Sequence, residues 1–149
     1  MAKVSFQLVM PEREVLATEA DMVVVPGSEG DVGVLHGHAP LISTVRPGVL
    51  EVFQGNKVEQ RFIVVGGFAE VTPERCTVLA DEAMAPDSLD RTALRAELQM
   101  IEGNLPSLLD QVGRATGTER ERLASELRAL ERQQNIARAK LQVLAEISR

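Results

Sequence analysis

One segment interrupts apolar residues with four glycines and two prolines: Val25-Pro26-Gly27-Ser28-Glu29-Gly30-Asp31-Val32-Gly33-Val34-Leu35-His36-Gly37-His38-Ala39-Pro40-Leu41. Glycine tolerates the positive φ angles of tight turns, and proline fixes φ near the value that the first corner of a turn requires. The segment therefore predicts a strand, a tight turn, a short strand and a second turn that carries a histidine to a loop tip.

Short apolar or alternating runs lie on both sides of this segment, as far as residue 85. Turn signals such as Arg46-Pro47-Gly48 and Gly66-Gly67 separate them at the regular spacing of antiparallel sandwiches and barrels. The run Phe62-Ile63-Val64-Val65 is too continuously apolar for a sheet with one solvated face. We therefore predict a small antiparallel β-sandwich over residues 1–85.

The pattern of apolar residues becomes helical near Pro86. Here Pro86-Asp87-Ser88 predicts the end of the strand region and offers possible N-caps for a helix. Apolar residues then recur at alternating steps of four and three, at Leu94, Leu98, Ile101, Leu105, Leu108 and Val112. Residues 113–117 predict a turn, and Thr118 with Glu121 predicts a capping box that opens a second helix. The seam of that helix comprises Leu123, Leu127, Leu130, Gln134, Ala137, Leu141, Leu144 and Ser148. Two heptad helices with so short a connection predict an antiparallel hairpin over residues 86–149, and so an α+β chain of two domains.

Two irregularities interrupt the predicted hairpin. Pro106 removes a backbone hydrogen bond to Glu102, which costs about 3 kcal/mol in a helix interior. The seam keeps its phase across this proline, so we predict a kink or short interruption near Gly103-Asn104. The seam weakens where Gln134 and Ala137 replace large apolar residues, which predicts an arm that can open and close.

The end of the second helix predicts contacts outside the hairpin. Three apolar residues overhang the first helix and are predicted to dock on the sandwich or on another protein: Leu141, Leu144 and Ile147. Three basic residues have no acidic residue three or four positions away: Arg132, Arg138 and Lys140. They are interpreted either as a solvated face or as a contact face for an acidic partner.

Composition excludes several classes of partner. The net charge is −6, with 12 acidic against 6 basic residues up to Ala85 and 10 against 10 beyond it. An acidic first domain without Trp or Tyr predicts no nucleic-acid partner. No apolar run approaches the roughly 20 residues of a membrane span, and the start of the chain shows no signal or transit pattern. We therefore expect the protein to stay where it is made, and its single Cys76 excludes an intrachain disulfide.

Three chemical interpretations of the glycine-rich segment compete. Its glycines lack the spacing of a dinucleotide or Walker loop, which argues against a phosphate cradle. The pair His36 and His38 would suit a metal-dependent jelly-roll (cupin-like) enzyme, but no carboxylate follows, and the chain has only two histidines. The third interpretation is an interaction surface on a rigid scaffold.

Five motifs in order resemble the epsilon subunit of F-type ATP synthases, which is equivalent to the mitochondrial delta subunit. They are Gly30-Asp31-Val32-Gly33-Val34-Leu35, His38-Ala39-Pro40-Leu41, Arg46-Pro47-Gly48, Gly66-Gly67-Phe68-Ala69-Glu70-Val71 and Thr77-Val78-Leu79-Ala80-Asp81. The resemblance implies a β-sandwich of about ten short strands followed by a two-helix domain. It also implies a non-catalytic rotor subunit that binds the foot of the gamma subunit and the polar loops of the membrane c-ring.

The resemblance also implies particular site residues. Asp31, His38 and Glu29 would lie at the end of the sandwich that meets the c-ring and gamma, although many relatives have proline where this chain has His36. The basic residues Arg132, Arg138 and Lys140 would face the catalytic alpha and beta subunits and allow the helices to regulate ATP hydrolysis. The implied location is peripheral, on the cytoplasmic face of a bacterial inner membrane, with membrane association only through the complex.

ATP binding is the one cofactor question that the resemblance raises. Relatives that bind ATP carry Ile or Leu, Asp, two variable residues, Arg and Ala. Here the corresponding segment is Leu89-Asp90-Arg91-Thr92-Ala93-Leu94, so Ala93 replaces the arginine. The missing guanidinium argues against ATP binding, and the sequence predicts no cofactor.

Overall fold

The computed structural model describes residues 2–147, in which the chain forms two compact units, Met1–Ser88 and Leu89–Arg149. The first unit extends three residues beyond the boundary that the sequence predicts, because Pro86–Ser88 form a single 3-10 turn that contacts the strands. Ser88 anchors that turn by donating its hydroxyl to the Ala85 carbonyl at 2.7 Å. Ser148, predicted to continue the helical seam, lies outside the described residues.

Eight strands form the described part of the first unit, against the ten or so that the sequence resemblance implies. They are β1 (Val4–Met10), β2 (Arg13–Ala20), β3 (Met22–Gly27), β4 (Gly30–Val34), β5 (Leu41–Thr44), β6 (Gly48–Gln54), β7 (Lys57–Val71) and β8 (Arg75–Met84). The strand order is β2-β1-β8-β7-β6-β3-β4, and β5 pairs with β7 off this path. Neighbours are antiparallel except β1 and β8, which run parallel. The predicted sandwich fold is confirmed.

The inward side chains of the strands build one apolar core. Alternation on β1 buries Val4, Phe6 and Leu8 and turns Ser5 and Gln7 outward, as the sequence pattern predicts. The other fully buried large members of the core cluster are Val23, Val25, Val34, Leu50, Val52, Val64 and Val78. This core fixes which residues of each strand face outward.

A bend at Gly66-Gly67 accounts for one of the strands that are fewer than expected. The sequence predicts a turn there, but β7 continues through both glycines, pairing with β6 before them and with β5 after them. The inward positions of β7 change from even to odd across the bend, from Val64 to Ala69 and Val71. The glycine pair therefore lets one continuous strand bend, so that it pairs with β6 on one side of the bend and with β5 on the other.

Cys76 lies in this core, and burial raises the pKa of its thiol from an ordinary 9.0 to about 12. The unfolded chain therefore ionises this thiol at a lower pH than the folded chain does. We expect its contribution to stability to be lost as pH rises from about 9 toward 12, by up to about 1.4 kcal/mol per pH unit. Urea unfolding of the wild type and of Cys76→Ala between pH 7 and 10 measures this, since only the wild type should show the thiol's alkaline loss. Parallel pH profiles for the two proteins would contradict it.

Two helices form the second unit: α1 (Arg91–Arg114) and α2 (Gly117–Ile147). Asp90 is the N-cap of α1, because its carboxylate accepts hydrogen bonds from the backbone N–H groups of Thr92 and Ala93 at 2.9 and 3.2 Å. The predicted caps at residues 86–88 are therefore wrong. No described helix is long and apolar enough to span a membrane.

The predicted interruption near Gly103-Asn104 is absent, since α1 is continuous through both residues and through Pro106. The alternative, a kink of the helix there, stays a prediction. Pro106 is exposed, so water can hydrate the carbonyl that it leaves unpaired, while the seam packs on either side. The turn predicted over residues 113–117 shrinks to residues 115 and 116. Thr118 therefore lies within the first turn of α2 and is not its N-cap.

The predicted seams do pack against each other in an antiparallel hairpin. None of the described seam residues is exposed, and the buried ones are Leu94, Ile101, Leu123, Ala137 and Leu144. Arg138 crosses from α2 to the Glu102 carboxylate at 2.7 Å, and Arg91 donates to the Leu144 carbonyl at 3.2 Å. The second contact holds the end of α2 beside the start of α1.

Gln134 is a half-buried polar residue in the seam of α2. Replacing it with leucine should stabilise the hairpin by about 1 kcal/mol, since a fully buried leucine contributes roughly 1.5 to 3 kcal/mol. Hydrogen exchange of the α2 amides should slow accordingly. Gln133→Leu is the matched control, because Gln133 is exposed and its replacement should leave exchange unchanged. Equal protection in both variants would contradict the weak-seam account.

Candidate interaction surface

An apolar strip crosses four adjacent strands on the outward side of the first unit. Strand register places Thr44 of β5 beside Phe68 of β7, Phe68 beside Leu79 of β8, and Leu79 beside Val9 of β1. Ile42 lies two residues from Thr44 on the same side of β5. We call Ile42, Phe68, Leu79 and Val9 the apolar face.

The exposure of this strip is unusual for side chains of its size. Ile42 is 73% exposed, Phe68 45% and Leu79 38%. A cavity of about 240 Å³ borders the strip and is lined by Val9, Met10, Pro11, Gly67, Phe68, Leu79, Ala80 and Asp81. Single exposed apolar residues are ordinary, but a contiguous exposed patch marks an interaction surface. The apolar face can therefore receive an apolar partner.

The remainder of the same sheet side is polar. Two residues along the strands from Val9 and Leu79, the outward side chains are Gln7 and Thr77, and Glu70 lies beside Thr77. Because the outward side chains change from apolar to polar along the same strands, the apolar face occupies only one end of this side of the sheet. A partner is therefore directed to that end.

The β3–β4 hairpin tip carries two of the predicted site residues, Glu29 and Asp31, both exposed. Arg46 forms an ion pair with the Asp31 carboxylate at 2.6 Å and donates to the Gly27 carbonyl at 2.7 Å. The backbone N–H of Ser28 donates to the Thr44 carbonyl at 3.0 Å. The tip is thus tied to the corner that follows β5.

His38, the third predicted site residue of this domain, lies beyond the other end of β4 in the loop of residues 35–40. Its ring Nδ1 lies 2.6 Å from the Ala39 carbonyl oxygen, so Nδ1 carries the proton and donates. The N–H of Gly37 ties the loop to the Pro73 carbonyl at 2.6 Å. The structure therefore places Asp31 and His38 at opposite ends of β4 rather than together.

The positions of His36 and His38 do not fit the cupin-like metal site considered above. A cupin-like site needs two histidines on one strand, but His36 and His38 lie on the loop that follows β4. Within residues 2–147, no group of three or more His, Cys, Asp or Glu side chains is arranged to hold a metal ion. The cupin-like enzyme is not supported.

The basic residues of α2 are in different environments. Arg132 is exposed, and among the described residues it makes no ion pair. Arg138 is compensated by Glu102 of α1, a contact that a search for partners along a single helix could not find. Lys140 is half-buried, as are Leu141 and Ile147. Whether these residues meet a partner stays a prediction.

The apolar face was missed by the sequence reasoning, although a signal for it exists. Ala69 and Val71 occupy the inward positions of β7, and Val78 and Ala80 those of β8. Large apolar residues at the intervening positions must then point outward. Strand parity alone therefore identifies Phe68 and Leu79 once the inward set is known.

The comparisons with known proteins agree on one family. The family model described as the beta-sandwich domain of the ATP synthase delta/epsilon chain matches residues 3–86. The ATP synthase epsilon chain of Rhodospirillum rubrum is 48% identical over 124 residues, which are 83% of this chain and 92% of that protein. That of Rhodospirillum centenum is 43% identical over 145 residues, 96% of this chain and 92% of the relative.

Solved structures share the fold at low identity. A chain of the mitochondrial ATP synthase of Euglena gracilis, solved with OSCP, F1 and the c-ring, aligns with a TM-score of 0.68 at 19% identity and covers 100% of this chain and 83% of that one. A chain of the central stalk and c-ring of the Tetrahymena thermophila enzyme aligns with a TM-score of 0.55 at 16% identity and covers 99% of this chain and 97% of that one. As the sequence motifs predicted, the chain belongs to the family of ATP synthase epsilon chains, non-catalytic rotor-stalk subunits of that enzyme.

Proposed function

We propose that this epsilon chain joins the gamma subunit to the c-ring, and that the apolar face is its contact with gamma. The observation that carries the proposal is the contiguous exposure of Ile42, Phe68 and Leu79 on adjacent strands. The polar tip with Glu29 and Asp31 would meet the polar loops of the c-ring. His38 would contribute a separate contact with the rotor from the other end of β4. A chain of similar fold was solved as part of a central stalk with its c-ring, which supports the c-ring as a partner.

The chemistry of the apolar face suits a permanent contact. A rotor joint must hold under torque through every turn, and obligate interfaces are larger and more apolar than transient ones. Phe68 and Leu79 lie beside the 240 Å³ cavity, which offers a recess for a partner side chain. Burial of such side chains contributes roughly 1.5 to 3 kcal/mol each when complete. The apolar face would therefore form the apolar centre of a larger interface.

A second proposed role belongs to the helical hairpin. Its polar seam residue Gln134 favours an arm that can open, and Arg132 is an exposed cation without an ion pair in the described chain. Opening would bring the basic residues of α2 toward the catalytic alpha and beta subunits and so restrain ATP hydrolysis. Deleting everything after Val112 and measuring hydrolysis by the assembled enzyme tests this role, and unchanged hydrolysis would contradict it.

The proposed location is peripheral, on the cytoplasmic face of a bacterial inner membrane. Bacterial relatives at 43–48% identity support this location. Membrane association would arise through the complex alone, and no ATP or other cofactor is proposed for the chain. Alkaline or high-salt washing of membranes should release it only together with other stalk or head subunits.

Affinity capture tests the proposed function. The full chain with an N-terminal tag is expressed in its own organism, and the complex is purified from detergent-solubilised membranes. We expect gamma, the c-ring and the alpha and beta subunits in stoichiometric amounts. Recovery of the chain without gamma would overturn the proposal.

A further inference from the structure

One side chain from outside the β3–β4 hairpin holds its tip. Arg46 follows β5, and its two terminal nitrogens donate to the Gly27 carbonyl at 2.7 Å and to the Asp31 carboxylate at 2.6 Å. Its backbone N–H donates to the Pro26 carbonyl at 2.9 Å. Gly27 is the last residue of β3, and Asp31 lies at the start of β4, so the guanidinium bridges both strands where they turn.

The bridge depends on the shape of arginine. A guanidinium presents several N–H donors in a rigid plane, so it can hold two acceptors in fixed relative positions. A lysine ammonium carries the same charge on a flexible stem and lacks that fixed fork. Charge alone would therefore keep the attraction to Asp31 but lose the simultaneous grip on Gly27.

The bridge neutralises one of the two carboxylates at the tip and leaves the other without a partner among the described residues. Asp31 is compensated by Arg46, whereas Glu29 is exposed and makes no hydrogen bond or ion pair within residues 2–147. The Arg46 and Asp31 side chains are themselves 42% and 60% exposed. Exposed ion pairs add little to the free energy of unfolding. Fold stability therefore does not account for a clamp at this position.

We infer that Arg46 is a positioning residue: it acts through Asp31 and Gly27 to hold the β3–β4 tip rigid, so that the Glu29 carboxylate is presented at a fixed place to a polar or basic partner surface. In the assembled enzyme that surface is the loops of the c-ring, and this part rests on the proposed function. A rigid tip transmits force between two rotating parts, whereas a mobile tip would yield before its partner moved.

The first test uses the isolated full chain, so it does not depend on the proposed function. Arg46→Gln should accelerate hydrogen exchange of the Ser28 amide, which donates to the Thr44 carbonyl, about tenfold while leaving the melting temperature nearly unchanged, because opening of the tip is local. Arg46→Lys should give an intermediate rate. Arg61→Gln is the matched control, since it removes another exposed pair, Arg61 with Glu51 at 3.0 Å, away from the tip. Wild-type exchange in Arg46→Gln, or in Arg46→Lys, would overturn the inference.

The second test measures proton pumping per ATP hydrolysed in the assembled enzyme. Arg46→Gln should lower this ratio, Arg46→Lys should restore it partly, and Arg61→Gln should leave it at the wild-type value. An unchanged ratio in Arg46→Gln despite a mobile tip would overturn the positioning role. Failure of every variant and of the wild type to assemble would instead contradict the proposed function.

Discussion

Replacing Gly67 with alanine should destabilise the strand domain by about 3 kcal/mol or more. Gly67 has φ +103°, a conformation that side chains with a Cβ rarely adopt. A Cβ there would collide with the carbonyl oxygen of Leu79 and lie 2.9 Å from the Ala80 Cα. Both are backbone atoms of the paired strand β8 and cannot rotate away. Urea unfolding followed by circular dichroism measures the loss.

Gly103→Ala is the matched control for this prediction. Gly103 lies in α1, and a Cβ added there meets nothing within 4 Å. Alanine is the better helix former by roughly 0.5 to 1 kcal/mol, so this variant should be slightly more stable than the wild type. Equal stability of the two variants would show that the bend of β7 does not require glycine.

Replacing Phe68 with glutamate should weaken binding to gamma by at least about a hundredfold. A carboxylate at the centre of the apolar face would lose its water on binding and find no compensating partner in an apolar contact. The melting temperature should change little, because Phe68 is already 45% exposed. Binding of the purified full chain to purified gamma, measured by calorimetry, gives the affinity.

Leu109→Glu controls for the general effect of adding a charge. Leu109 is 55% exposed on α1 and lies outside the apolar face. The same chemical change there should leave the affinity for gamma at the wild-type value. If Leu109→Glu weakens binding as much as Phe68→Glu does, the apolar face is not the specific contact.

The sequence was a good guide to local structure where side-chain alternation and turn chemistry agree. The alternation of β1 and a tight turn between two strands of the glycine-rich segment were predicted correctly. Gly66-Gly67 was misread as a turn, because a glycine pair permits either a chain reversal or a bend. Pairing with β5 and β6 decides between them, and it depends on residues far away in the chain.

The helices show the same limit. Pro106 predicts a kink or a short interruption of α1, but the helix is continuous, and the seam residue Ile101 is buried in the hairpin. Helix starts were misplaced because several residues near each start can serve as caps. Asp90 is the N-cap of α1, whereas the cap candidates at residues 86–88 form the 3-10 turn that precedes it.

The candidate site was only partly predictable. Resemblance pointed to Asp31 and His38, but it could not show that β4 separates them. The Arg46–Asp31 and Arg138–Glu102 pairs join residues 15 and 36 positions apart, so only the tertiary fold reveals them. The apolar face needed the inward and outward assignment of four neighbouring strands.

Site-specific crosslinking tests the central claim most directly. A photoreactive phenylalanine analogue replaces Phe68 in the tagged full chain, and the same analogue replaces Leu109 in a control chain. Both are irradiated within the assembled ATP synthase. We predict a crosslinked product that contains gamma for position 68 and none for position 109. A crosslink from position 68 only to alpha, beta or c subunits, or none at all in a complex that contains the chain, would contradict the assignment of the apolar face to gamma.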